Sequence, residues 1–227
     1  MDWSQWLHGG SFLEVSFLLE LKEMEMKSKA IQDIINKLPK LTTKVEIIDE
    51  NVDEIIDFFD RGYPYDEEDS EANFIHSLRL RVFVHLPRKR KAILQIEMVS
   101  SNSIMVNFWF YGSIFDAFEW DQIGIKKEEI KDFTNFLIEL YFLYEFRIGA
   151  IAIEEDVLEL FGCGETYPNE CYCYENVNPD CFLQEASRFI NIIWDEKCEE
   201  LSRIPYNHKR LHKEGILIET GSFDLES

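Results

Sequence analysis

The chain has 227 residues, 46% of them hydrophobic and 14% aromatic, which is ample material for a folded core without disulfide or metal staples. Forty-four Asp and Glu oppose twenty-three Lys and Arg, a formal charge of −21. That balance repels phosphate backbones and anionic membrane surfaces, and it favours encounter with a basic partner.

Residues 12–21 (FLEVSFLLEL) alternate, with Leu13, Val15, Phe17, Leu19 and Leu21 on one side and Glu14, Ser16 and Glu20 on the other, as a strand with one buried face does. Over 26–38 the period changes. Ile31, Ile34, Ile35 and Leu38 form a helical stripe that stops at Pro39. A short strand is expected at 43–48. A second helix carries Val52, Ile55, Ile56 and Phe59, capped by Asp49 or Asn51 and closed by Gly62. Residues 78–111 read as a three-stranded meander. Its apolar face (Leu78, Leu80, Val82, Val84; Ala92, Leu94, Ile96; Ile104, Val106, Phe108, Phe110) needs a cover, and the helix expected over 126–146 supplies one. IGAIAI (148–153) reads as a buried strand and EEDVLELFG as a short helix. The run from Asn178-Pro179-Asp180 to about 203 reads as a long helix, although RFINIIW also alternates as a strand would. GILIE (215–219) reads as a last strand. The fold class is therefore α+β, an antiparallel meander sheet covered on one face by helices, in a single domain over 1–227.

Cys163, Cys171, Cys173 and Cys181 lie close together in CGETYPNECYCYENVNPDC. Zinc, a disulfide and free thiols are all open for them. The C-x-C centre and the lack of a neighbouring histidine fit a zinc knuckle poorly. The first ten residues have neither the cationic nor the apolar run of a signal peptide, so the expected compartment is a reducing cytoplasm. His208 and His212, spaced i, i+4, would share one helical face, but lysine and arginine surround them. No nucleophile elbow, phosphate loop or dinucleotide fingerprint is present. The expectation is a protein that is not an enzyme and needs no cofactor or metal.

Two stretches suit protein recognition. In 49–71, Asp53, Asp57 and Asp60 fall at i, i+4 and i+7 on the polar side of the second helix. Tyr63, Tyr65, Asp66, Glu67, Glu68 and Asp69 follow in an acidic loop. In FDAFEWDQIGI (115–125), Asp116, Glu119, Trp120 and Asp121 alternate with Phe115 and Phe118. If exposed, these make a recognition edge; if buried, they cap the core. With NFWFYGSIFDAFEWD (107–121) and the acidic stretch 49–71, the chain loosely resembles bacterial polymorphic-toxin immunity proteins in general plan. The resemblance implies a protein that binds a basic cognate toxin domain and covers its active surface. Two further readings stand beside it. One is a phage-type inhibitor or DNA mimic acting on a host defence protein. The other is a small metal-dependent hydrolase using the cysteine loop or clustered carboxylates.

Overall fold

The computed structural model describes residues 6–21, 27–64, 74–161, 183–184, 186–195 and 204–221. Strands β1 (Phe12–Glu20), β2 (Val45–Ile47), β3 (Tyr63–Pro64), β4 (Phe74–Ile75), β5 (Ser77–His85), β6 (Lys89–Met98), β7 (Ser103–Tyr111), β8 (Ile148–Ile153), β9 (Phe189–Trp194), β10 (Asn207–Arg210) and β11 (Ile216–Glu219) alternate with helices α1 (Lys27–Lys37), α2 (Val52–Arg61) and α3 (Ile130–Tyr144). Among the described residues one sheet runs β10-β11-β9-β8-β1-β7-β6-β5-β2, antiparallel throughout. β1 lies at its centre, paired with β7 on one side and β8 on the other.

The meander pairs as its alternation requires, with Leu80 opposite Leu94 and Leu94 opposite Phe108. All three helices pack on the face that carries these residues. Phe133 and Phe136 of α3 meet Phe110 and Phe108 edge-on at 5.1 Å, an arrangement aromatic quadrupoles favour. The Tyr144 hydroxyl donates to the Ile34 carbonyl at 2.7 Å and ties α3 to α1. Glu129, just before α3, accepts from the Lys126 N–H and from Arg88 and Arg90. This clamps the β5–β6 hairpin to the helix start. The opposite face is also apolar near β8, β9 and β11, where Leu18, Ile148, Phe189, Trp194 and Ile218 pack with Val157 and Leu160 of the 3-10 turn Val157–Phe161.

Three expectations are corrected. The long helix to 203 is instead strand β9 over Phe189–Trp194. It is buried on both faces, so its apolar residues satisfy either period. His208 lies on β10 and His212 in the 3-10 turn that follows, so i, i+4 spacing gives them no common face. Asn51 occupies the N-cap position of α2 without a side-chain cap bond. Asp49 is drawn instead to Arg81, accepting from its Nε at 2.8 Å and its backbone N–H at 2.6 Å. The four clustered cysteines lie outside the described residues.

Candidate functional site

The connection from β7 to α3 is pinned along its length. Ile125 N–H donates to the Ser113 carbonyl at 2.7 Å, Ala117 and Gln122 exchange backbone bonds, and Asp116 Oδ1 accepts from Gly124 N–H at 2.8 Å. Gly124 is required at this crossing, since a Cβ there would lie 2.5 Å from the Ile114 carbonyl oxygen. The Gln122 side chain exchanges two hydrogen bonds with the His8 backbone, and the His8 ring stacks on Trp120 at 5.0 Å. Lys91 donates to the Trp120 carbonyl at 2.9 Å and lies 3.6 Å from Asp121.

On this fixed frame Phe118 is 82% exposed, Phe115 73% and Trp120 42%. The structure therefore resolves the choice left by the sequence: the aromatics of 115–120 do not cap the core. It also separates the acids of the loop by role. All three acids are exposed, but Asp116 is also a structural acceptor and Asp121 faces Lys91, whereas Glu119 lies between Phe118 and Trp120 in the chain.

In the acidic stretch, Asp53, Asp57 and Asp60 are exposed on α2, while Ile56 and Phe59 turn into the core. A third side of the helix, Asn51, Glu54, Ile55 and Phe58, borders a hollow of about 550 Å³ that Tyr63, Leu78 and Arg79 close. At 100° per residue the three aspartates point away from that hollow, so Glu54 is the carboxylate α2 contributes to it. Exposed Tyr63 stands at its edge, and burial followed by the Glu97 charge raises the Tyr63 phenol. Tyr65, Asp66, Glu67, Glu68 and Asp69 lie outside the described residues.

A third grouping, which no sequence motif marks, lies on the sheet face opposite the helices. Register aligns Ser16, Asn107, Gln95 and Arg79 across β1, β7, β6 and β5. Asn107 Nδ2 donates to Glu14, Arg79 Nε to Gln95 at 3.2 Å, and Gln95 Nε2 to Glu97 at 2.6 Å. The Arg79 guanidinium also lies over the Trp109 ring at 4.7 Å. Burial lifts the Glu14 carboxyl to about 7, with the charges of Asp156, Glu154 and Glu155 adding to it. Burial likewise lifts Asp156 to about 6 and raises Glu97. Carboxyls that titrate near neutrality can exchange protons, so this lane is the chemistry closest to an enzyme's. Among the described residues no three His, Cys, Asp or Glu side chains converge as metal ligands. Only the strand register assembles the lane, and no local motif announces it. Among the described residues no helix is long and apolar enough to cross a membrane. No family model, no curated protein and no solved structure matches the chain.

Proposed function

We propose that the protein is a non-catalytic binding protein that docks a basic protein partner through its aromatic loop 113–121, in the manner of a cytoplasmic immunity protein covering the active surface of its cognate toxin domain. The observation that supports this reading most is the exposure of Phe115 and Phe118 on a loop whose backbone is hydrogen-bonded at both ends. A rigid loop loses little entropy on docking, and each phenylalanine buried contributes about 1.5–3 kcal/mol. Aromatic anchors ringed by carboxylates suit a partner rich in lysine and arginine, with the −21 charge steering the encounter.

The test is co-expression with the polypeptide encoded by the adjacent reading frame. A stable complex is expected, weakened at least about 100-fold by Phe118→Ala with Trp120→Ala, a loss of about 3 kcal/mol or more. The melting temperature of the free double variant should stay within a few degrees of the parent. A complex that forms equally well with the double variant refutes the choice of loop. No complex with a basic neighbour refutes the immunity reading. The hydrolase reading draws on Glu14 and Asp156. It requires that Glu14→Gln abolish the biological effect, whereas docking through loop 113–121 leaves that effect intact.

A further inference from the structure

The edge of the sheet beside α2 is interrupted. β2 pairs with β5 from Val45 opposite Val84 to Ile47 opposite Val82, and Ile48 N–H still donates to the Arg81 carbonyl at 2.9 Å. The chain then leaves the edge as α2 and returns as β3, with Tyr63 opposite Ile75. Continuing both registers places Asp49 beside Leu80 and Gly62 beside His76, which leaves Ser77, Leu78 and Arg79 facing no strand. Gly62 makes the sharp return possible. It has φ +69°, and a Cβ would lie 2.9 Å from the Ile75 carbonyl oxygen.

Backbone groups alternate sides along a strand. The Arg81 and His85 amides and the Arg81 carbonyl point outward to the β2 side, and the His76 carbonyl points inward to Met98. By that parity the N–H and C=O of Ser77 and Arg79 point outward, into the hollow. Among the described residues no hydrogen bond reaches them. The hollow holds 550 Å³, and its apolar walls are Ile55, Phe58 and Leu78. Glu54 is the carboxylate on its helix wall, and Asp53, Asp57 and Asp60 lie on other sides of α2, outside the lining. The one cation in the lining, Arg79, has its guanidinium turned to Gln95 and Trp109.

We infer that this notch is a strand-addition site that takes an extended segment of about three residues from a basic partner protein, its backbone pairing with Ser77 and Arg79, an apolar side chain seated against Phe58 and Ile55, and a lysine or arginine at Glu54. The origin of the segment rests on the docking function proposed above; the notch itself does not involve loop 113–121. A free strand edge beside an apolar hollow supplies affinity through main-chain bonds and selectivity through alternate side-chain pockets.

The test is titration of the ¹⁵N-labelled full chain with acetyl-KVKVK-amide, acetyl-EVEVE-amide and a KVKVK peptide N-methylated at its central residue. The basic peptide is expected to saturate the amide shifts of Ser77 and Arg79 and to bind at least 10-fold more tightly than the acidic one. N-methylation should abolish the shifts, Phe58→Ala should weaken binding at least 5-fold, and Glu54→Lys should reverse the charge preference. Phe58 is 51% exposed, so its truncation leaves the fold intact. No saturable shift at millimolar peptide, equal binding of the N-methylated peptide, or shifts centred on loop 113–121 would each overturn the inference. Such a failure leaves the loop reading standing, because that reading is decided by Phe118 and Trp120 in the partner complex.

Discussion

Replacing Glu14 by glutamine isolates the most perturbed carboxyl on the open sheet face. In the folded protein burial holds this group at about 7 against its ordinary 4.5, with Asp156, Glu154 and Glu155 adding negative charge around it. The hydrogen bond from Asn107 Nδ2 favours the carboxylate and opposes this shift, but burial outweighs it. The Nδ2 of Asn107 already bonds Glu14, while its Oδ1 is buried without a donor among the described residues. Between pH 4.5 and 7 the native state therefore binds a proton that the unfolded chain has released. Stability contributed by this group is complete below about pH 4.5 and falls as pH rises through 7, after which it is constant. The displacement from 4.5 to about 7 corresponds to a loss of up to about 3 kcal/mol. Glutamine stays neutral and can both accept from Asn107 Nδ2 and donate to its Oδ1. Urea unfolding of parent and Glu14→Gln at intervals from pH 4.5 to 8.5 should give equal stabilities at the acid end and a variant more stable by about 2–3 kcal/mol at pH 8. Taking the difference removes the general self-repulsion of a −21 chain and the parallel titration of Glu97, and leaves Glu14 together with its coupling to Asp156. Stability curves that stay parallel across the range would refute the assignment of a buried neutral acid at Glu14.

Truncating Phe136, fully buried against Phe108, should cost about 3–5 kcal/mol by denaturant titration, since the sheet cannot collapse into the space. Glu129→Ala leaves Arg90, whose side chain is 4% exposed, without its carboxylate and should cost about 3 kcal/mol. Burial alone would raise the Glu129 carboxyl, but its bonds from Arg88, Lys126 N–H and Arg90 hold it at about 2. That share of stability is present above its ordinary 4.5 and is lost as pH falls toward 2, so the gap between parent and variant should narrow under acid. Gly62→Ala forces a side chain into positive φ against the Ile75 carbonyl and should cost about 2 kcal/mol or more, with exchange of the Tyr63 and Ile75 amides accelerating first.

Wherever one face of an element is polar and the other apolar, the sequence discloses it. The meander is legible because Leu80, Leu94 and Phe108 alternate with Arg79, Gln95 and Asn107, and a one-residue slip would bury the wrong set. α1 and α2 are legible for the same reason at the helical period. β9 is not, because FINIIW is buried on both faces and its residues carry no period to distinguish strand from helix. β10 is hidden for the opposite reason. NHKR is exposed on both faces, and only pairing with Ile216–Glu219 defines it as a strand.

The site follows the same logic one level up. Exposure of Phe118 cannot be read from FDAFEWD, because a phenylalanine among acids is compatible with either a core cap or a surface anchor. What decides it is the Asp116–Gly124 and Gln122–His8 bonding, which fixes the loop by polar contacts; Trp120 adds a stack on His8, while Phe115 and Phe118 stay exposed. A core that needed those rings would have drawn them in, since burying each is favourable by about 1.5–3 kcal/mol. The exposure of Phe115 and Phe118 on a frame held without them leaves that free energy available to the partner proposed above, and Glu119 between Phe118 and Trp120 is consistent with the basic character proposed for it.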